Sequence, residues 1–242
     1  MIDLSLILPV YNEAGFIEPV LIQIKKTLQR LHISYECLLV ENGSTDNSWD
    51  VLNHLAKQNA EIKLIRAAKG YGSAVIAGLK EAKGTYICYM PSDGQIDLKV
   101  FPVLWQMIVS GQWDIVKVRR TTRENPARYF QSGLYSYLIQ KLCTTAALDI
   151  NGSPRILTRK NALKLSLWAK DSFIDAEMAI KAHILHWRIK EVAMVTLPRA
   201  GGRSTRSWQT YEEILINILR FVFVSPIVNW RAKMTPGKSV RI

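Results

Sequence analysis

The sequence predicts an α/β fold in which a mostly parallel β-sheet carries helices on both faces. Two observations lead to it: short apolar runs alternate along the chain with longer amphipathic stretches, and the short runs are apolar almost throughout. Such runs are typical of parallel strands that are buried on both faces. The length of 242 residues is enough for one large α/β domain. Ligands of a doubly wound sheet bind beyond the carboxyl ends of its strands, so we expect a site at that edge.

Strand and helix patterns alternate regularly over the first half of the chain. The predicted strands there are 4–11, 35–41, 62–67, 85–90 and 114–118, and helical periodicity covers about 15–31, 46–58, 72–83 and 98–110. The second half is predicted to contain helices at about 126–147, 160–169, 175–187 and 207–225, and strands at 153–159 and 188–198.

The last predicted helix carries the apolar run 214–228, which Arg220 and Pro226 interrupt. The run is shorter than the ~20 uninterrupted apolar residues that a membrane span needs. Residues 207–242 are therefore predicted to form an amphipathic helix with a basic tail. The pattern fits a helix packed on the core as well as one lying in a membrane interface, and both interpretations stay open.

The excess of positive over negative charge lies entirely in the part of the chain after residue 116. The formal net charge is −2 over residues 1–116, +7 over 117–160, +1 over 161–198 and +6 over 199–242. Such asymmetry indicates an anionic partner, whether nucleic acid, an anionic membrane surface or a phosphorylated substrate; a basic face kept for solubility is the other interpretation.

Cysteine content and the first residues bear on the cellular compartment. The three cysteines are an odd number, and Cys37 and Cys88 lie in apolar runs. Buried thiols in a reducing compartment fit this pattern better than a disulfide framework or a zinc site. Asp3 stands where a signal peptide carries lysines, so the expected location is the cytoplasm.

Polar residues cluster directly after the first four strands, at 9–13, 41–46, 69–74 and 91–95. These clusters share one edge of the predicted sheet and should converge on one cleft. Asp93 follows an apolar strand, and a carboxylate there, opposite diphosphate oxygens, can hold Mg²⁺ or Mn²⁺. Gly70 and Gly72 allow a tight turn into a helix whose amides would face negative charge. Val75 replaces the third glycine of a dinucleotide fingerprint, which counts against a nicotinamide enzyme.

Five segments together carry a family resemblance. They are LSLILPVYNE, LLVENGSTDNS, KGYGSAVIAGLKEAKGTYICYMPSDGQ, FIDAEMAIKA and IKEVAMVTLPRAGGRST. In order and spacing, over roughly residues 4–206, the chain resembles family 2 glycosyltransferases of the GT-A fold. Within that family it is similar to dolichol-phosphate mannose synthases and their bacterial polyprenyl-phosphate relatives. The resemblance implies a GT-A domain over 1–206, with a nucleotide-sugar half (1–116) and an acceptor half (117–206).

The resemblance also implies roles for residues of the donor side. The residues that would border the nucleotide are Pro9, Tyr11, Glu13, Glu41, Lys69, Gly72, Asp93 and Gln95. Asp93, with Gln95 beside it, would bind the metal ion. The sequence departs from the family pattern at Pro91, which replaces the first acidic residue of the metal motif, and at Glu41-Asn42, where Asp-Asp is usual. Weak metal affinity in the absence of nucleotide is therefore expected.

On the acceptor side, Asp175 and Glu177 match an acidic pair, and Arg199 belongs to an Arg-x-x-Gly-x-Ser motif beside the phosphates. Asp93, Asp175 and Arg199 are the candidate catalytic residues. The candidate ligands of an acceptor phosphate are Arg119, Arg120, Arg123, Arg128, Arg199, Arg203 and Ser204.

The predicted reaction transfers a hexose, with inversion, from a nucleoside diphosphate sugar. A hydroxyl acceptor would need a general base, for which Asp175 is the candidate, whereas a polyprenyl phosphate is already anionic and needs cations. The basic segment 117–160 favours the lipid phosphate. A hydroxyl-acceptor enzyme of capsule, O-antigen or cell-wall polysaccharide synthesis is the alternative.

The expected partners are the nucleotide-sugar, a polyprenyl phosphate or glycan acceptor, the cytoplasmic membrane surface and a membrane protein. Nucleic acid is not expected, because the basic segments contain no recognisable nucleic-acid-binding motif.

Overall fold

The computed structural model describes residues 2–122, 133, 135–137, 139–140, 147–201 and 230. Of the helix expected over 126–147, the described residues 133, 135–137 and 139–140 are helical, residue 147 is not, and the rest of that prediction lies outside the description. The predicted C-terminal helix and tail are represented by Trp230 alone.

The described strands form one sheet in the order β3-β2-β1-β4-β6-β5-β7. They are β1 (Leu4–Val10), β2 (Tyr35–Glu41), β3 (Ile62–Arg66), β4 (Tyr86–Tyr89), β5 (Ile115–Arg120), β6 (Arg155–Thr158) and β7 (Ile189–Met194). Strand β1 pairs in parallel with β2 and β4, β2 with β3, and β5 with β7, which confirms the mostly parallel sheet. Strand β6 runs antiparallel to both of its neighbours, β4 and β5. The amino end of β6 therefore lies at the edge where the other strands end.

Helices cover both faces of the sheet. They are α1 (Ile17–Arg30), α2 (Ser48–Gln58), α3 (Tyr71–Glu81), α4 (Phe101–Val109, after a 3₁₀ turn at Leu98–Val100), α5 (Arg159–Leu165) and α6 (Ile174–Ile184). Apolar residues of α1, α2 and α4 join one core cluster, and those of α3, α5 and α6 join the other. All seven residues of β1 are buried between these layers, as its continuous apolar character predicts.

Helix α5 is shorter than the predicted helix at 160–169. It ends at Leu165 because Ser166 takes a left-handed conformation, with φ of 44°. The carbonyl oxygens of Leu165 and Ser166 accept hydrogen bonds from Lys181 Nζ at 2.8 and 2.9 Å, which fixes this turn. Sequence periodicity does not record such a long-range contact.

The two cysteines within the described ranges, Cys37 and Cys88, are buried free thiols, as predicted. Burial raises the pKa of Cys37 to about 12, so this thiol stays protonated and unreactive. Cys143 lies outside the described residues.

Candidate active site

Asp93 lies in the loop after β4, where the sequence predicts the centre of the site. The residue is buried, and its Oδ2 lies 3.2 Å from Arg199 Nη2. The loop is tied to the segment after β7, since Ala200 N donates to Asp93 O at 3.1 Å and Leu197 N donates to Gln95 O at 3.0 Å. These main-chain bonds bring Arg199 to Asp93 from a distant part of the sequence.

Gly94 makes this pairing possible. Its φ is +76°, and a Cβ at this position would lie 2.8 Å from Ala200 Cβ. Asp93 Oδ1 accepts a hydrogen bond from Gln95 N at 3.1 Å. The carboxylate of Asp93 is thus oriented by the loop and by Arg199 together.

Glu13 stands next to this loop at the end of β1, and its carboxyl contacts the Ser92 hydroxyl. Ser92 Oγ also lies 2.6 Å from the Pro9 carbonyl oxygen. A hydroxyl carries one proton and can donate to only one of these groups at a time. Burial raises the pKa of Glu13 to about 8, and a protonated Glu13 can donate to Ser92 while Ser92 donates to Pro9.

The loops after β1 and β2 are locked together by side-chain bonds to main-chain amides. Asn12, with φ of 55°, accepts a hydrogen bond from Thr45 N at 2.7 Å through Oδ1. Asp46 Oδ2 accepts from Ala14 N at 3.2 Å, and Ser48 Oγ accepts from Glu13 N at 2.9 Å. These bonds hold the backbone around Glu13 in one conformation.

Glu41, one of the residues predicted to border the nucleotide, is buried at the end of β2. Its Oε1 accepts a hydrogen bond from Ser44 N at 2.5 Å, and its Oε2 lies 3.8 Å from Arg66 Nε. The Arg66 guanidinium stacks on Trp49 at 3.7 Å from the ring centroid. The Glu41 carboxylate therefore organises its own loop.

Tyr11 and Lys69 follow β1 and β3. Lys69 Nζ lies 5.5 Å from the Tyr11 ring centroid, which brings the two predicted nucleotide-side residues together.

Gly72, at the start of α3, packs against the segment 169–171. A Cβ on Gly72 would lie 2.1 Å from Ala169 O and 2.7 Å from Asp171 O. Ser73 N donates to Lys170 O at 2.9 Å. The sequence predicts that amides at the start of this helix face an anion. The Ser73 amide instead already donates its hydrogen bond to a carbonyl oxygen of the protein.

Asp175, the candidate general base, lies at the start of α6 and forms a buried ion pair with Arg155. The sequence predicts that Arg155 lies in the strand 153–159 and indicates no role for it. The overlooked signal is an arginine at the first position of a short apolar strand, RILT.

Glu177 has a different environment from Asp175, although both belong to the same acidic pair. It has no exposed side-chain surface and accepts hydrogen bonds from Ala169 N at 2.9 Å and from Lys181 Nζ at 2.6 Å. Burial raises the pKa of Glu177 and lowers the pKa of Lys181, while the pairing opposes both shifts. Glu177 thus fixes the segment that covers Gly72.

Arg120, a candidate acceptor-phosphate residue, is engaged by Asp149. Its Nε and Nη2 donate to the two carboxylate oxygens at 2.9 and 2.8 Å, a bidentate pair. Arg119, by contrast, is exposed at the end of β5. The remaining candidates, Arg123, Arg128, Arg203 and Ser204, lie outside the described residues.

No group of three or more His, Cys, Asp and Glu side chains suited to a metal ion occurs in the described part of the chain. Pro91 leaves Asp93 as the carboxylate of the predicted metal motif, with Gln95 beside it. One carboxylate is enough for Mg²⁺ when phosphate oxygens and water complete the shell. The residues present therefore fit an ion that binds together with a diphosphate.

Comparison with known proteins decides the family. A sequence model described as glycosyl transferase family 2 matches residues 5–164. The chain belongs to glycosyl transferase family 2.

Relatives within family 2 share only part of their length with this chain. The uncharacterized glycosyltransferase EpsJ of Bacillus subtilis is 34% identical over 113 residues, which are 46% of this chain and 32% of EpsJ. The low-salt glycan biosynthesis hexosyltransferase Agl6 of Haloferax volcanii is 24% identical over 234 residues, which are 92% of this chain and 55% of Agl6. The chain thus spans about half or less of the length of these relatives. The narrower resemblance to dolichol-phosphate mannose synthases stays a prediction.

Solved structures confirm the GT-A fold of this family 2 glycosyltransferase. Glucosyl-3-phosphoglycerate synthase from Mycobacterium tuberculosis, in complex with Mn²⁺, uridine diphosphate and phosphoglyceric acid, is similar with a TM-score of 0.70 at 18% identity. The match covers 91% of this chain and 78% of that one. Within the described ranges, no helix has the length and apolar character needed to cross a membrane.

Proposed function

We propose that this family 2 chain transfers a hexose from a nucleoside diphosphate sugar to a polyprenyl phosphate, with inversion at the anomeric carbon. The observation that carries the transfer reaction is the pairing of Asp93 with Arg199 at the carboxyl edge of the sheet. This pairing supports the proposal, because a diphosphate leaving group needs both a carboxylate that could hold a metal ion and a cation.

Asp93 and Gln95 would hold a Mg²⁺ or Mn²⁺ ion together with the diphosphate. The ion, when bound, neutralises charge on the leaving diphosphate. Arg199, which lies beside Asp93, would bind a phosphate oxygen of the same diphosphate. Support for an ion comes from a neighbour of the same fold, which was crystallised with Mg²⁺ and uridine diphosphate.

A phosphate acceptor is favoured by the charge of the segment that follows β5. Residues 117–160 carry a formal net charge of +7, and Arg119 is exposed where β5 ends. An ionised phosphate is itself the nucleophile, so it needs cations for positioning rather than a strong base.

One observation favours a hydroxyl acceptor as the second candidate. Asp175 lies at the start of α6 with its carboxylate held by Arg155, and an oriented carboxylate is what a general base requires. The relative Agl6 is named as a hexosyltransferase of glycan biosynthesis. We keep this acceptor class as an outcome of the test.

A panel of nucleotide-sugars tests the proposal. Full-length protein with Mn²⁺ would receive UDP- and GDP-hexoses, each with undecaprenyl phosphate, dolichyl phosphate or a free glycan, and the released nucleoside diphosphate would be measured. We expect release to increase with a lipid phosphate. Stimulation by the glycan alone would move the assignment to the second candidate, and no release with any donor would overturn the proposal.

Attachment to the cytoplasmic face of a membrane is part of the same proposal. At Trp230 the tail packs on the body of the protein, because this residue is buried and its Nε1 donates to Lys164 O at 3.2 Å. Basic residues of the segment 231–242 could still contact anionic headgroups. Full-length protein should sediment with anionic vesicles at low salt, and equal sedimentation with neutral vesicles would contradict an electrostatic attachment.

A further inference from the structure

Arg155 has an unusual position for a charged side chain. It is fully buried at the first position of β6, and in the sheet it is paired with Tyr89 of β4 and Lys117 of β5. Because β6 runs antiparallel to these strands, this first position lies at the site edge.

The guanidinium of Arg155 joins three elements of that edge. Its Nη1 donates to Tyr89 Oη at 3.1 Å and to Asp175 Oδ1, and its Nη2 donates to Gly152 O at 2.7 Å. Its Cζ lies 4.8 Å from the Tyr89 ring centroid. The orientation of the Asp175 carboxylate is thus set by a planar fork that is itself fixed on two other sides.

The charge of Arg155 has a marked effect on its surroundings. Arginine stays protonated in proteins, and a buried guanidinium needs a counter-ion. Lys117 beside it is a base and offers no negative charge; burial first, and then the nearby Arg155, lower its pKa to about 7. Asp175 is the carboxylate with which Arg155 forms an ion pair.

Stability alone is a weak reason to keep such a pair. Replacing a buried ion pair by apolar residues of similar volume is often neutral or stabilising, because removal of both charges from water is costly. A role in orienting Asp175 accounts for a guanidinium at this place better than packing does.

We infer that Arg155 is a positioning residue, which acts on glycosyl transfer by orienting Asp175 toward the acceptor. This inference rests on the proposed function. Because its side chain is fully buried, Arg155 would act through Asp175 and not on the donor or the acceptor directly. Its removal should therefore affect transfer to the acceptor and leave nucleotide binding unchanged.

The experiment compares Arg155→Lys with Arg159→Lys in the full-length protein. Lysine keeps the charge and loses the fork, and Arg159 is an exposed arginine at the other end of β6 whose Nε donates to Ala82 O at 2.7 Å. Three quantities would be measured: transfer to the acceptor that wild type uses, hydrolysis of the donor without acceptor, and Mn²⁺-dependent affinity for the nucleoside diphosphate.

For Arg155→Lys, kcat for transfer should fall by about fivefold or more, since a small misplacement of a catalytic group is costly. Donor hydrolysis and nucleotide affinity should stay within about twofold, and Arg159→Lys should match wild type in all three quantities. A parallel fall of all three would mean a purely structural role, and unchanged transfer by Arg155→Lys would overturn the inference as well.

A double-mutant cycle keeps the inference testable if a single variant fails to fold. Arg155→Met combined with Asp175→Asn removes both buried charges, so neither is left unpaired. If Arg155 acts through Asp175, transfer by the double variant should equal transfer by Asp175→Asn. Independent, multiplicative losses would overturn the inference. Wild-type protein that is inactive with every donor would overturn the proposed function, whereas an active wild type with either adverse result would overturn only the role of Arg155.

Discussion

Arg199 Nη2 lies 3.2 Å from Asp93 Oδ2, so a cation of the protein already contacts the carboxylate that a divalent ion would need. A metal ion and the Arg199 guanidinium would compete for the same carboxylate oxygen of Asp93. A diphosphate has enough oxygen atoms to bind both cations at once. The contact with Arg199 is therefore a second reason to expect weak metal affinity, besides the replacement of the first acidic residue of the motif by Pro91. Mn²⁺ should bind the protein poorly by itself and more tightly with a nucleoside diphosphate, as titration calorimetry would show. Equal affinity with and without nucleotide would contradict it.

Asp93→Asn should abolish turnover and Mn²⁺-dependent nucleotide binding. The amide removes the negative charge that would attract the ion and that Arg199 contacts. Asp97→Asn is the matched control, because Asp97 lies in the same segment and its Oδ1 accepts a local hydrogen bond from Lys99 N at 3.1 Å. Retention of most activity by Asp93→Asn in saturating Mn²⁺ would show that the ion is held elsewhere.

Asp175→Asn separates the two acceptor classes. With a phosphate nucleophile we expect a modest loss of about tenfold, since Asp175 then only helps to position the acceptor. With a hydroxyl nucleophile the loss should be on the order of 10²–10⁴, the usual size of general-base catalysis. Single-turnover rates with wild type and variant would distinguish these ranges, and a loss in the larger range would contradict the lipid-phosphate proposal.

Glu13 should make stability decrease with pH. Its pKa is raised from 4.5 to about 8 in the folded protein, so between these values unfolding releases a proton. The free energy of unfolding should therefore fall as pH rises from about 4.5 to 8, by up to about 1.4 kcal/mol per pH unit from this group. In Glu13→Gln the side-chain amide can donate a hydrogen bond to Ser92 but does not titrate. This contribution to the decrease in the free energy of unfolding should therefore be absent. Urea unfolding at pH 5 and pH 8 would measure it, and the same pH dependence in both proteins would be the contrary result.

Gly72→Ala should destabilise the protein by about 1–3 kcal/mol, the range of overpacked sites, because the new methyl group would collide with Ala169 O. Alanine is otherwise favoured over glycine in a helix, which makes the expected sign informative. Gly15→Ala is the control, since nothing lies within 4 Å of its added Cβ. Thermal unfolding would compare the three proteins, and a stabilised Gly72→Ala would mean that the segment 169–171 gives way easily.

Glu177 and Lys181 should show strong coupling in a double-mutant cycle. Glu177→Gln or Lys181→Met alone leaves one buried charge unpaired and should cost about 3–5 kcal/mol. The double variant should cost less than the sum of the two. Additive losses in urea unfolding would contradict the pairing seen at 2.6 Å.

The sequence predicts the strands and the Asp93 loop well, because both depend on local patterns. Continuous apolar runs indicate strands that are buried on both faces, and an aspartate after such a run marks the site edge. The reversed direction of β6 is not predictable in this way, since an apolar run looks the same in either direction. The burial of Arg155 is unpredictable for a related reason, because it depends on the carboxylate of Asp175, twenty residues away in the sequence.

The partners of Arg120 and Glu177 were unpredictable for the same physical reason. A basic segment indicates affinity for anions, but only the fold shows that Asp149 already occupies Arg120. Asp175 and Glu177 form one acidic pair in the sequence. Helical geometry nevertheless directs Asp175 to Arg155 and Glu177 to Lys181.

The reversal of β6 has a consequence for how such enzymes can diversify. Strand β5 ends at Arg120 and β6 begins at Arg155, and both points lie at the same edge of the sheet. A connection between antiparallel neighbours starts and finishes at one edge of the sheet, whereas a connection between parallel strands has to return to the opposite edge. The last residues of this connection are tied to the strands, because Asp149 forms an ion pair with Arg120 and Gly152 O accepts a hydrogen bond from Arg155, so residues 147–154 would have to be kept in any exchange. Under the proposed function, exchanging residues 121–146 between family members should change the acceptor preference and leave the donor loops with Glu13 and Asp93 in place.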